Sequence, residues 1–159
     1  MTVFKLSENQ KKLIERLGVF HEKNGMQPAA SRVLALLLVS DRTELTFDEI
    51  REALNISKSA TSGAINLLIT INQIEYITKP GDRKRYFRNK IFSWKEHLRA
   101  NFESVTAISS LMKEVLAQRP KETQNFNEAI EEIIDFLTFF QQEVPDVFKK
   151  WEEQRKKNR

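Results

Sequence analysis

Apolar residues recur at helical spacing over most of the chain, which predicts a mainly helical protein. The first such stripe lies between Ser7, a candidate helix N-cap, and the helix-ending pair at residues 24–25. It consists of Leu13, Ile14, Leu17 and Phe20. The next segment, Ala29–Val39, is apolar almost all round and predicts a second helix that is buried on most sides. Arg32 is the exception there, and we expect it to pair with an acid at the edge of the core.

Residues 46–72 have the pattern of two short helices joined by a tight turn. Thr46 and Glu49 form a capping-box pair at the start of the first helix, which runs to Leu54. Asn55 suits the turn because asparagine tolerates a left-handed backbone, and Ser57 can cap the second helix. Helical spacing divides that helix into a core side and an outer side. The core side comprises Thr61, Ala64, Ile65 and Leu68, and the outer side comprises Ser59, Ser62, Gly63 and Asn66.

A short hairpin follows the two helices. Pro80 and Gly81 stand where a type II turn needs them, between predicted strands at residues 74–79 and 84–88. Two helices, a tight turn and a hairpin in this order are typical of a winged helix-turn-helix, in which the hairpin forms a two-stranded wing. We expect Asp82 to orient a neighbouring arginine. The residues expected to pack the wing down are Tyr86 and Phe87.

Two long helices are predicted for the rest of the chain. The first runs from about residue 93 to 118, and the second from about 125 to 144, where Pro145 is expected to end it. The apolar seam of the second helix follows a heptad pattern: Phe126, Ile130, Ile133, Leu137, Phe140 and Val144. Its second apolar surface comprises Ile134, Phe136 and Phe139. A subunit interface would cover both surfaces, and packing within one chain is the alternative.

The positive charge of the chain is concentrated at the hairpin. The formal net charge is +4, with 15 Lys and Arg against 10 Asp and Glu in residues 1–92, and 11 against 12 in residues 93–159. Residues 79–90 alone hold six basic residues and one acid. Such a patch beside a helix-turn-helix favours binding to a phosphate backbone, although basic residues also protect exposed strand edges.

The outer side of the second short helix supplies candidate DNA contacts. Small and hydrogen-bonding side chains there would let the helix approach base edges closely, and Asn66 can pair with adenine. Ser57 and Lys58 lie at the N-terminus of this helix, where the partial positive charge of the helix suits a phosphate. The predicted DNA-binding residues are Ser57, Lys58, Ser59, Ser62, Gly63, Asn66, Arg83, Lys84 and Arg85. The alternative is a polar face that only contacts water.

Other classes of function have little support in the sequence. It has no cysteine, which excludes disulfides and cysteine-ligated metals, and its only histidines, His21 and His97, lie far apart. It also has no glycine-rich phosphate loop, metal-ligand cluster or nucleophile motif, so we predict no enzyme activity, cofactor or metal. The start of the chain does not resemble a signal peptide, and its longest apolar run is too short to cross a membrane. We therefore expect a cytoplasmic location.

Four segments carry a resemblance to a known family. They are Ala29–Leu38, Leu45–Ile50, Leu54–Ser62 and Pro80–Tyr86. Together they resemble the MarR superfamily of winged-helix repressors, and most closely its GbsR branch. The resemblance implies a homodimeric repressor that binds double-stranded DNA at a pseudo-palindrome. It assigns contact with DNA to Lys58, Ser59, Ser62, Asn66, Arg83 and Arg85.

By the same resemblance, the N-terminal and C-terminal helices interlock as a dimerisation region. The residues assigned to it are Leu13, Leu17, Phe126, Ile130, Ile133, Leu137 and Phe140. A small-molecule effector, if there is one, would bind between this region and the DNA-binding lobes, and its identity is open. A choline-like effector would need a cage of aromatic rings. The Trp and Tyr residues, Tyr76, Tyr86, Trp94 and Trp151, are scattered along the chain and are more easily explained as packing.

The predicted organisation has three parts. Residues 1–25 form an N-terminal helix that contributes to dimerisation, residues 26–92 form the winged helix-turn-helix, and residues 93–159 form the helical dimerisation and effector region. The function that these parts favour is sequence-specific transcriptional regulation. The alternative is a winged-helix adaptor that binds another protein through its apolar C-terminal helices and does not bind specific DNA.

Overall fold

The computed structural model describes residues 4–158, which form two compact units, one ending at Ile91 and the other beginning at Phe92. The first unit contains α1 (Glu8–Lys23), α2 (Pro28–Val39), β1 (Leu45–Thr46), α3 (Phe47–Leu54), α4 (Lys58–Thr70), β2 (Ile74–Thr78) and β3 (Arg85–Asn89). A short 3₁₀ turn at Ile91–Ser93 leads into the second unit, which contains α5 (Trp94–Gln118) and α6 (Gln124–Lys157). The predicted mainly helical winged-helix fold is confirmed.

Local sequence signals set the ends of the short helices. The Thr46 hydroxyl accepts a hydrogen bond from the Glu49 amide, and the Glu49 carboxylate accepts one from the Thr46 amide at 2.8 Å, which completes the predicted capping box of α3. Asn55 ends this helix with a left-handed backbone at φ +49°, as expected for the turn. Ser57 caps α4 by accepting a hydrogen bond from the Ala60 amide at 3.1 Å.

The core of the first unit is centred on α2, which packs against α1 on one side and α4 on another. Most of its residues are buried because the helix is apolar almost all round, as predicted. Arg32 pairs with Glu15 at 3.1 Å and also with Glu22, so it joins α2 to α1 at the edge of the core. These two carboxylates raise the pKa of Arg32, mainly through their hydrogen bonds, and keep it charged.

The sheet has three antiparallel strands in the order β1-β3-β2, one more than the predicted two-stranded wing. β2 and β3 form the expected hairpin. β1 adds only two residues, with Leu45 opposite Phe87 and Thr46 opposite Tyr86. Leu45 is fully buried, so this short strand connects the hairpin to the core beside α3.

The second unit is an antiparallel pair of helices. The ring of Phe102 on α5 contacts Phe140 and Phe148 on α6, with centroids 5.4 and 6.3 Å apart. The buried residues of this pair are Thr106, Ser109, Ile130, Ile134, Leu137 and Phe148. None of the helices described in residues 4–158 is long and apolar enough to cross a membrane.

Pro145 does not end α6, so that prediction is wrong. The helix continues to Lys157, although a proline has no amide hydrogen to donate to the carbonyl of Gln141. Residues beyond the proline pack on α5 and keep the chain helical. Phe148 is buried, and Trp151 lies edge-on to Trp94 with ring centroids 5.3 Å apart. This packing outweighs the missing backbone hydrogen bond.

Both long helices also expose large apolar residues. On α5 these are Leu98, Val105, Ile108, Leu111 and Val115. On α6 they are Phe126, Ile133, Phe136, Phe139 and Val147. The predicted seam of α6 is therefore divided within a single chain, since Ile130 and Leu137 are buried whereas Phe126 and Ile133 are exposed.

Candidate nucleic-acid interface

The outer side of α4 is exposed as the sequence pattern predicts. Thr61, Ala64, Ile65 and Leu68 are buried against the core, and Ser59, Ser62, Gly63 and Asn66 are exposed. The Ser57 and Ser59 hydroxyls lie 3.0 Å apart at the N-terminus of the helix, beside the exposed Lys58. This end of the helix combines free amide groups, two hydroxyls and one cation, which is a suitable arrangement for a phosphate.

The hairpin turn is held by hydrogen bonds that centre on Asp82. Gly81 adopts φ +78°, and the Asp82 amide donates to the Lys79 carbonyl at 3.0 Å, as a type II turn requires. The Asp82 carboxylate accepts from the Tyr86 hydroxyl at 2.6 Å and from the Lys84 amide at 2.9 Å. These hydrogen bonds, first that of Tyr86, lower the pKa of Asp82, and the same bond raises the pKa of Tyr86.

The expectation that Asp82 orients an arginine is wrong. Its carboxylate is used by Tyr86 and by the backbone of Lys84, because the turn brings these two donors closer than any guanidinium. Asp82 therefore shapes the tip of the hairpin from within. The expectation that Phe87 packs the wing down is confirmed, since its side chain is buried.

Five of the six cations in residues 79–90 fall into two groups, and the sixth, Lys90, donates to the side-chain oxygen of Asn72. Lys79 pairs with Glu44 and lies over the ring of Tyr86, and Arg88 pairs with Glu75 at 2.7 Å, so both charges are used within the protein. The second group is Arg83, Lys84 and Arg85. Within the described part of the chain, no acid forms an ion pair with any of these three cations. Their charges are available to a phosphate backbone.

A cleft of about 570 Å³ lies between α4 and the hairpin. On the helix side its lining includes Ser62 and Asn66 of α4 and Asp48 of α3, and on the hairpin side Arg83, Lys84 and Arg85. The Asp48 carboxylate pairs with Arg51 on its own helix. Five of the nine predicted DNA-binding residues thus meet at one concave surface. The other four, Ser57, Lys58, Ser59 and Gly63, lie along the exposed side of α4 outside this lining.

Tyr76 lines the same cleft and was not predicted to be part of the site. Its side chain is 50% exposed, and the guanidinium carbon of Arg85 lies 5.0 Å from the centre of its ring. The alternation of strand residues could have indicated this position. Tyr76 lies opposite Phe87, which is buried, so it shares the side of the hairpin that faces α4.

The second unit has an apolar groove of about 300 Å³ between its two helices. It is lined by Trp94, Leu98, Phe102, Phe140, Val144, Val147, Phe148 and Trp151. The two tryptophans, which were expected to be scattered packing residues, therefore lie together. The Lys95 ammonium and the Arg155 guanidinium lie 5.1 and 5.4 Å from the centre of the Trp151 ring, so this ring already contacts two cations of the protein itself.

Metal binding has no candidate in the described residues. Across residues 4–158, no three side chains from His, Asp and Glu come together in a way that could hold a metal ion. The cleft instead offers hydrogen-bond donors and acceptors on α4 beside three cations that form no ion pair with an acid in the described residues.

A unit of four helices, in which α3 and α4 are joined by a tight turn and followed by a basic hairpin, has the fold of the winged helix-turn-helix class. Two family models match its sequence: a MarR family model over residues 24–85, and an MmpR5-like MarR family transcriptional regulator model over residues 93–154. Over these two ranges the chain is therefore similar to MarR family transcriptional regulators.

Two individual proteins are also similar to this chain. The HTH-type transcriptional regulator MmpR5 of Mycobacterium tuberculosis (strain ATCC 25618 / H37Rv) is 25% identical over 133 residues, which cover 84% of this chain and 81% of the relative. A crystal structure described as a transcriptional regulator superposes with a TM-score of 0.72 at 23% identity, covering 91% of this chain and 99% of the other. The second similarity concerns the fold alone.

Proposed function

We propose that the protein is a homodimeric, sequence-specific repressor of transcription that responds to a ligand and acts in the cytoplasm. In this proposal α4 enters the major groove, where Ser59, Ser62, Gly63 and Asn66 approach base edges. The hairpin contacts the backbone or the adjacent minor groove through Arg83, Lys84 and Arg85. The observation that carries the proposal is the cleft in which the exposed side of α4 meets three cations that form no ion pair within the described residues.

The homodimer is supported by apolar surfaces that a single chain leaves exposed. Leu13 on α1 is exposed, and both long helices expose apolar residues over much of their length. Burial of such surfaces is the main favourable term in most protein association. Two copies related by a two-fold axis would place their α4 helices about 34 Å apart, one turn of B-DNA, so that both could bind successive major grooves.

Ligand response and repression are proposed from a thermodynamic requirement and from the sequence resemblance. A ligand could regulate such a dimer only if it preferred one spacing of the two DNA-binding units over another. Repression, rather than activation, is proposed from the resemblance of the sequence to winged-helix repressors. Placement in the GbsR branch likewise stays a prediction from the segments that carry that resemblance.

The test is a fluorescence-anisotropy titration of the purified protein against duplex DNA from upstream of its own coding sequence. An unrelated duplex and a salt series run in parallel. We expect much tighter binding to the upstream duplex, and an affinity that falls steeply with salt because phosphate contacts release counterions. Equal, weak binding to both duplexes would call for a selection of bound genomic fragments to find a distant operator. No binding even at low salt would contradict the proposal and favour the protein-binding adaptor.

A further inference from the structure

The hairpin has two faces that use their aromatic rings and cations differently. Residues opposite each other in the β2-β3 register share a face, so Tyr76 and Phe87 lie on one face, and Ile77 and Tyr86 on the other. Arg85 lies two residues before Phe87 on the same strand and therefore on the face of Tyr76. This face continues from the buried Phe87 out to the cleft beside α4.

On the opposite face, the pair of Lys79 and Tyr86 is a structural contact. The ammonium of Lys79 lies 4.1 Å from the centre of the Tyr86 ring, but it also pairs with Glu44. The Tyr86 hydroxyl in turn donates to Asp82. The Lys79 ammonium and the Tyr86 hydroxyl both have partners within the hairpin and its neighbouring segment, so this pair holds the wing together.

The pair of Tyr76 and Arg85 differs because its charge is left unneutralised. The Arg85 guanidinium lies 5.0 Å from the ring centre, and in the described residues no carboxylate pairs with it. A long arginine side chain loses considerable rotamer entropy when it is fixed on a ligand. A tyrosine ring on a strand has few rotamers and can reduce that loss by holding the guanidinium beforehand.

We propose that Tyr76 is a positioning residue, which holds the Arg85 guanidinium at the mouth of the cleft so that it meets a DNA phosphate or the minor groove already oriented. This inference rests on the proposed DNA-binding function and adds a residue to it. Tyr76 acts through its ring, and Arg85 supplies the charge. The ring leaves that charge intact, whereas a carboxylate in the same place would cancel it.

A double-mutant cycle in the anisotropy assay tests the role, with wild type, Tyr76→Leu, Arg85→Ala and the double variant. We expect Tyr76→Leu alone to weaken binding by about two- to fivefold, the range of an exposed cation–π contact. In the Arg85→Ala background we expect no further loss from Tyr76→Leu, because the two residues act as a unit. Additive losses, or unchanged binding by Tyr76→Leu, would overturn the proposal.

Tyr76→Phe separates the ring from the hydroxyl. We expect it to bind DNA like wild type, and a loss as large as that of Tyr76→Leu would overturn positioning by the ring in favour of a direct contact by the hydroxyl. Thermal unfolding of each variant, together with its circular dichroism spectrum, checks that the fold is retained. Arg88→Ala is the matched control, since Arg88 is on the same strand but its charge is paired with Glu75.

A measurement without DNA separates this inference from the proposed function. In NMR spectra of the free protein, the Arg85 side-chain protons should show an upfield ring-current shift that disappears in Tyr76→Leu and remains in Tyr76→Phe. An unshifted Arg85 in wild type would overturn the contact. If wild type binds DNA but the cycle is additive, only the role of Tyr76 fails. If wild type does not bind DNA at low salt, the proposed function and this role fail together.

Discussion

Gly63 is an exposed glycine in the interior of α4. A Cβ atom built there would have no protein atom within 4 Å. Glycine in a helix interior costs about 1 kcal/mol relative to alanine. In the proposed complex this position faces the major groove, where a residue without a side chain would permit the closest approach of DNA.

Gly63→Ala should therefore separate stability from function. We expect the free energy of unfolding to rise by about 0.5–1 kcal/mol in urea denaturation, because alanine favours the helix. We expect DNA affinity to fall in the anisotropy assay, because the added methyl group would meet the groove. Gly18→Ala is the comparison, since a Cβ there would lie 3.1 Å from Cγ of Arg32, and we expect it to gain less stability. Unchanged DNA affinity in Gly63→Ala would remove this position from the interface.

Glu49 connects the stability of the first unit to pH. Burial raises the pKa of Glu49, but hydrogen bonds from the Thr46 amide and from Arg42 outweigh burial, so its pKa lies below the ordinary value of 4.5 for a glutamate. A carboxyl whose pKa is lower in the folded protein stabilises the fold above its unfolded pKa. This contribution disappears as the pH falls through the folded pKa.

Glu49→Gln should consequently lower stability in a pH-dependent way. We expect a loss of about 1 kcal/mol at pH 7, where the ionised carboxylate makes its charge-assisted hydrogen bonds. The difference from wild type should shrink as the pH falls below about 4.5, where the wild-type carboxyl becomes protonated. Urea unfolding of both proteins across this range checks the expectation, and a constant difference at all pH values would contradict it.

At the scale of elements, the hairpin contains more positive charge than it offers to a ligand. Arg83→Ala combined with Arg85→Ala should weaken binding to most DNA sequences. We expect the double change to reduce the slope of affinity against salt by about two, because each arginine releases about one counterion. Lys79→Ala combined with Arg88→Ala removes the same net charge but should change the slope much less, since Glu44 and Glu75 already pair with those cations. Equal slopes for the two double variants would show that the ion pairs of Lys79 and Arg88 do not keep these cations from binding DNA phosphates.

Helix ends and turns could be predicted from sequence because each depends on a few neighbouring residues. The capping box of Thr46 and Glu49, the left-handed Asn55 and the turn at Gly81 all depend on local conformation. β1 could not be predicted, because two residues are too few to show the alternation of a strand. They form a strand only through their pairing with β3 of the hairpin. The predicted helix end at Pro145 was wrong for the opposite reason. The proline is a local signal, and the packing of later residues on α5 outweighed it.

Most residues of the candidate site could be predicted from the sequence, but their arrangement around one cleft could not. Helical spacing identified Ser62 and Asn66, and charge identified Arg83, Lys84 and Arg85. That these residues line one cleft depends on the tertiary fold. Tyr76 was missed because an aromatic residue on a strand is usually explained by packing. The pairing that divides the hairpin cations into two groups involves Glu44, which lies outside the hairpin.

At the scale of the whole molecule, the proposed dimer should depend on apolar residues that the single chain exposes. Phe136 is 60% exposed and is a better probe than Phe140, which also contacts Phe102 within the chain. We expect Phe136→Asp to dissociate the dimer, because it would bury an unpaired charge in the interface. The monomer should keep its helical circular dichroism spectrum and bind DNA far more weakly.

Sedimentation of wild type and variant over a range of concentrations provides the measurement. Glu132→Gln is the control, since it changes an exposed acid on the same helix without adding charge to an apolar surface. A Phe136→Asp variant that sediments as a dimer would show that this stripe of α6 lies outside the interface. A wild-type protein that is monomeric at all concentrations would contradict the dimer itself.

Thr46 belongs to both the helix-turn-helix and the sheet. Its hydroxyl caps α3, and its position opposite Tyr86 in the sheet joins it to the hairpin. Thr46 therefore joins the helix-turn-helix that contains α4 to the hairpin, and we expect the span from α4 to the hairpin tip to be nearly constant. Any mismatch between that span and an operator must be absorbed by the double helix. We expect the protein to distinguish operators partly by how easily the base steps between its two contacts bend or narrow, at positions that no side chain touches.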